Sequence, residues 1–156
     1  MNILIVAATV FEIAPLTAKL EADFETITKF HYRKGSKNIH ILITGVGMTA
    51  TAFALGRALA KPDFIDVAFN FGIAGAYNRN LDIGAVVYVA KDRFGDLGVE
   101  EADGSFTDLF ELGLIENDVA PFSDGQLVSS IEFDLIPSVN GNTVNTVNGS
   151  TKSIEA

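Results

Sequence analysis

Residues 2–8, NILIVAA, form a continuous apolar run after the leading Asn2. A strand buried on both faces reads this way, so the run predicts a first strand inside a mostly parallel sheet. The next segment, TVFEIAPLTAKL, has apolar residues at helical spacing and no Gly- or Asn-rich loop before it, so strand should feed directly into helix. Residues 25–32 (ETITKFHY) partly alternate and pass through Lys34-Gly35-Ser36 into NIHILIT at 38–44, the pattern of a β-hairpin. Gly45-Val46-Gly47 then opens MTATAFALGRALAK, which is apolar almost all round and is stopped by Pro62; this predicts a largely buried helix.

Two more inner strands are expected at Asp66–Gly72 (DVAFNFG), closed by Gly72-Ile73-Ala74-Gly75, and at residues 84–90 (GAVVYVA). From Asp92 to Asp124 the pattern loosens into acidic, Phe-containing stretches punctuated by glycine, as in long surface excursions. GQLVSS at 125–130 and TVNTV at 143–147 are strand-like, and Ser150 is placed to N-cap a helix start in TKSIEA. Only six residues follow that cap, whereas isolated helices shorter than about 12 residues are marginal in water. The chain is therefore expected to stop inside an element, as one incomplete α/β domain over residues 1–156 without repeat, linker or low-complexity run.

Composition narrows the partners. Of 156 residues, 48% are hydrophobic and 20% charged, a balance that folds. The net charge of −9 is spread along the chain and repels phosphate backbones and anionic lipid, so neither nucleic acid nor membrane is an expected partner. A small molecule is. With no cysteine there is no disulfide, thiolate nucleophile or cysteine metal site, and a reducing cytoplasm fits. MNILIVAATVFEIAPL has no basic n-region and too short an apolar run for a signal peptide or membrane span.

Glu12 is the best single candidate for chemistry, because a carboxylate just past the first strand sits where open α/β sheets bind ligands. Thr9-Val10-Phe11-Glu12 also has the form of a capping box, and that ordinary role stays open. Pro15 weighs against it: in a helix capped by Thr9 its ring would meet the Phe11 carbonyl, costing about 3 kcal/mol. Gly45-Val46-Gly47-Met48-Thr49-Ala50 matches a dinucleotide fingerprint, but the next strand ends in Asn70-Phe71-Gly72 without the acidic residue that would hold a ribose. No cofactor is expected. His31 and His40 lack a carboxylate cluster at ligand spacing, so no metal is expected either. Arg93, Asp96, Glu100 and Glu101 read better as a solvated charged loop than as a site.

Taken in order, Glu12, the GVG turn, the GIAG turn, LDIGAVVYVAKDRFGDLG and TVNTVNGS make the whole chain resemble the nucleoside phosphorylase and nucleosidase superfamily. Within it the chain looks most like the futalosine hydrolases. The resemblance implies a three-layer α/β/α sandwich around a mixed, partly closed central sheet, homodimers or larger homo-oligomers, and hydrolysis of a purine-type nucleoside, futalosine, in a menaquinone route. It implies that Glu12 activates the attacking water, that the backbone of Ile73, Ala74 and Gly75 lines the nucleophile and ribose side, and that Thr146 and Val147 line the base. Ile73 stands where phosphorylases of the superfamily often carry a Ser or Thr that grips phosphate, which favours water as nucleophile. Thr146 replaces the aromatic that stacks on adenine in adenosylhomocysteine nucleosidases, which favours a futalosine-like substrate. The family's ribose-holding glutamate and its acid at the base would lie beyond Ala156. A noncatalytic binding or assembly module of the same fold is the alternative.

Overall fold

In the computed structural model, which describes residues 1–60, 65–151 and 154, the first apolar run becomes β1 (Asn2–Ala7), the centre of a five-stranded sheet. The chain continues through a 3-10 turn (Phe11–Ile13), α1 (Ala14–Asp23), β2 (Glu25–Thr28), β3 (His31–Lys34), β4 (Lys37–Ile43), α2 (Met48–Leu59) and β5 (Val67–Asn70). It divides into two compact units, Met1–Gly75 and Ala76–Ala156. In the first unit the strand order is β2-β3-β4-β1-β5, with β1 parallel to both β4 and β5 and the β2-β3-β4 meander antiparallel.

Because β1 is flanked on both sides, its consecutive apolar residues Leu4, Ile5, Val6 and Ala7 are all buried, as the continuous run predicts. Ile5 and Ala7 join Ile13, Leu20, Tyr32, Ile39 and Ile41 in one cluster beneath α1. Burial, with Glu21 nearby, pushes the Tyr32 phenol above its ordinary pKa. Ile13 is only 2% exposed and plugs the junction between the 3-10 turn and α1. Ile13→Ala should therefore lose about 2–5 kcal/mol of stability through lost transfer and an unfilled cavity, measurable as a lower midpoint in urea unfolding.

Three expectations are corrected in this unit. Residues 25–32 are not one strand: the chain reverses at Lys29-Phe30, where Phe30 adopts φ 67°, giving β2 and β3 before the β3-β4 hairpin. The strand expected at 66–72 is regular only over Val67–Asn70, with single bonds from Asp66 N–H and Phe71 N–H at its ends. The helix expected to be largely buried has no buried residue; Phe53 is 67% exposed. Its apolar character runs almost all round, whereas a helix resting on a sheet through one face covers only that stripe. Pro62, expected to end it, lies outside the described residues; α2 ends at Leu59.

The second unit contains β6 (Tyr88–Asp92), β7 (Gly98–Glu100), β8 (Phe106–Asp108), β9 (Phe122–Ser123), β10 (Gln126–Val128) and β11 (Ser138–Asn140). They form a mixed four-stranded sheet, β11-β6-β10-β9, and a separate β7-β8 hairpin within the excursion that the sequence marks as irregular. Phe110 packs edge-on against Phe122, which in turn meets Phe94. The expected 84–90 strand starts later, because Gly84 at φ 87° ends a turn closed by Ala85 N–H to Asp82 O, and Tyr88 makes the first bond to the neighbouring segment through Pro137 O.

TVNTV is not a strand either. The ladder beside β6 belongs to β11, shifts register between Val139 and Asn140, and runs on through Gly141 N–H to Lys91 O and Thr143 N–H to Arg93 O as far as a bridge from Phe94 to Thr143. At the end of the chain, Ile154 N–H donates to Ser150 O, a helical bond after the expected cap. The class is mixed α/β, as expected, and the mixed strands are shared between two main sheets. Among the described residues no helix is long and apolar enough to cross a membrane.

Candidate active site

The parallel ladders of the first unit continue past their strands. Thr44 N–H donates to Ala7 O, Gly45 N–H to Ala8 O, and Phe71 N–H to Val6 O. The turns leaving the carboxyl ends of β1, β4 and β5 are thus held side by side, the position at which open α/β sheets bind ligands.

Glu12 lies in the turn after β1. Its Oε2 accepts hydrogen bonds from Thr9 N–H at 2.7 Å and from Thr9 Oγ1 at 3.0 Å. Its Oε1 faces the turn after β5, 3.4 Å from the donating N–H of Ile73. The bond to Thr9 N–H is half of a capping box, so that reading of the sequence is partly realised. The helix it would cap is interrupted: α1 begins only at Ala14, with Pro15 in its first turn, which spares the Phe11 carbonyl the clash a continuous helix would impose. What remains is a half-buried carboxylate with one oxygen tied down and the other held by a single long contact.

Gly72 makes this approach possible, because a Cβ there would stand 3.2 Å from Glu12 Oε1. Ile73 supplies its backbone N–H while its side chain is 88% exposed; Ala74 and Gly75 continue as exposed, irregular backbone. The structure thus brings Glu12 and Ile73 together, whereas no hydrogen bond joins Ala74 or Gly75 to the carboxylate. Thr44 Oγ1 and Thr51 Oγ1, 3.2 Å apart, tie the GVG turn to the start of α2.

The second unit holds a polar cavity of about 790 Å³, lined by Tyr77, Lys91, Arg93, Asp96, Thr146 and Asn148 among others. Thr146 is thus among the lining residues, while Val147 is exposed and is not. The strip carrying Thr146 is fixed by backbone bonds at Thr143 and by side chains. Asp92 Oδ2 accepts from Thr143 Oγ1 at 2.6 Å, and Asp96 accepts from Asn145 N–H at 2.6 Å and from Asn145 Nδ2 at 3.2 Å. Asn148 Nδ2 donates to the Tyr77 hydroxyl at 3.2 Å.

Asp96 and Arg93, which read as solvated loop in sequence, line this cavity, and Lys91, Tyr77 and Asn148 were not singled out at all. The available signal was the repeated Asp of KDRFGD facing the Thr- and Asn-rich strip, whose side chains can replace a broken ladder. Among the described residues no group of three or more His, Asp or Glu is placed to hold a metal ion.

The phosphorylase superfamily model matches residues 2–149. No curated protein matches the chain in sequence. Among solved structures, a futalosine hydrolase mutant of Helicobacter pylori is 16% identical with a TM-score of 0.68, over 99% of this chain and 73% of that one. An S-adenosylhomocysteine nucleosidase of Streptococcus pyogenes, in complex with 5-methylthiotubericidin, is 20% identical with a TM-score of 0.68, over 99% and 67%. An MTAN of Chlamydia trachomatis bound to MTA is 15% identical with a TM-score of 0.60; the alignment takes in 94% of this chain and 61% of the length of that protein. These likenesses establish the nucleoside phosphorylase-like fold.

Proposed function

Since the chain belongs to the phosphorylase superfamily, we propose that it serves a hydrolase cleaving the N-glycosidic bond of a purine-type nucleoside, with futalosine of a menaquinone route as the substrate. The observation that carries this reading is the Glu12 carboxylate at the ends of β1 and β5, with Oε2 engaged twice by Thr9 and Oε1 only by the long contact from Ile73 N–H, so that Oε1 keeps acceptor capacity for a water. Water bound at Oε1 attacks the anomeric carbon as the bond to the base breaks and the sugar becomes oxocarbenium-like; its proton passes to Glu12, and the departing base takes up a proton.

The Ile73 side chain offers no hydroxyl to a phosphate, which supports water rather than phosphate as nucleophile. Thr146, in the polar cavity of the second unit, is assigned to the base side, with Val147 beside it in sequence. Ala74 and Gly75 are assigned with Ile73 to the sugar side. The same reading takes the two units as parts of one nucleosidase-type domain, because the family match runs through both, and expects a homodimer or larger homo-oligomer in the cytoplasm.

The test is a product assay. Incubated with futalosine in phosphate-free buffer, the protein should release free base, at a rate unchanged by added phosphate. Release that requires phosphate and yields a sugar phosphate would reject the hydrolase.

A further inference from the structure

The cavity of the second unit has an uneven charge inventory. Among the described residues two cations, Lys91 and Arg93, and two carboxylates, Asp92 and Asp96, line it. The carboxylates are engaged by the protein itself: Asp92 accepts from Arg93 N–H at 2.8 Å and from Thr143 Oγ1, and Asp96 from both nitrogens of Asn145. The cationic heads are not engaged. Among the described residues the one ion pair is Lys19–Asp23, and neither Lys91 nor Arg93 has a side-chain hydrogen bond or ion pair. They stand two residues apart at the end of β6, against a net charge of −9 over the chain.

Two cations of the sign opposite to the overall charge, unpaired beside a cavity of about 790 Å³, leave room for an anionic group on a ligand of nucleoside size. We propose that Lys91 and Arg93 form an anion-reading subsite for a carboxylate or phosphate carried by the nucleoside. Arg93 supplies the planar fork that matches either oxyanion, and Lys91 a mobile point charge. The anion belongs on the 5′ carbon, where a substituent leaves the glycosidic bond untouched. The nucleoside part of this proposal rests on the nucleosidase reading; the anion part rests on the unpaired cations alone.

Calorimetric titration of the chain at low salt with inosine, inosine 5′-carboxylate, inosine 5′-monophosphate and inorganic phosphate tests it. At least one anionic nucleoside should bind about tenfold more tightly than inosine, about 1.4 kcal/mol, and raised salt should shrink the preference. In the double variant Lys91→Gln, Arg93→Gln the ratio should fall to about one, with an unchanged circular dichroism spectrum because both residues are exposed. Which derivative wins tells carboxylate from phosphate. Equal binding of inosine and both derivatives, or a preference that survives the double substitution, overturns the subsite and leaves the nucleoside reading standing. Binding of inorganic phosphate but no nucleoside, lost in the double variant, keeps the subsite and overturns the nucleoside reading. Absence of binding by all four probes overturns both.

Discussion

Glu12→Gln is expected to slow base release about 100- to 10,000-fold, the range over which a positioned general base contributes. The substitution is nearly isosteric. The amide oxygen can still accept from Thr9 N–H, as Glu12 Oε2 does at 2.7 Å, but the amide cannot take a proton from water. The competing role makes a different prediction of its own. If Glu12 served only as a partner in a helix cap, the cost would be a stability loss of about 0.5–2 kcal/mol with turnover retained. Steady-state rates and unfolding midpoints measured on the same preparation separate the two: a large rate loss with little change in stability supports the base, and near-normal turnover returns Glu12 to its capping role.

Asp96→Ala should act on binding rather than on chemistry. Asp96 holds Asn145 through both the main-chain N–H and the side-chain amide, and Asn145 immediately precedes Thr146. Hydrogen bonds to a charged group contribute about 1.5–3 kcal/mol, and about 1.4 kcal/mol is a factor of ten in affinity. Removing the clamp is expected to raise KM about tenfold or more while kcat changes less than about threefold. Asp96→Asn, which keeps one oxygen to accept from Asn145 N–H, should recover part of the loss. A fall in kcat with KM unchanged would contradict the positioning role.

Much of the first unit was legible because its signals are local and repeated. Residues 3–8 are apolar without interruption, as in a strand with a parallel neighbour on each side and both faces covered, and NIHILIT alternates into a core of Ile39 and Ile41. Glu12 stood out because an acidic residue just past a buried strand conflicts with the surrounding pattern. Its contact with Ile73 could not be read, since it joins residues 61 apart through the ends of neighbouring strands.

The second unit was less legible for a physical reason. TVNTV has the composition of a strand, yet its backbone bonds stop at Thr143 and the rest of its ordering comes from Asp92 and Asp96, and periodicity is blind to side-chain bonds of that kind. Helix α2 misled in the opposite sense: apolar residues on all sides predict burial, but packing is decided by what lies against the helix, which its own sequence does not state.

The central claim is that water, held by Glu12, is the nucleophile. Running the reaction in ¹⁸O-enriched water and weighing the released sugar tests it directly. One ¹⁸O atom in the anomeric hydroxyl of the sugar, formed at a rate that collapses in Glu12→Gln, is the result predicted. A sugar phosphate whose anomeric oxygen comes from phosphate, or labelled sugar formed at an undiminished rate by Glu12→Gln, would contradict it.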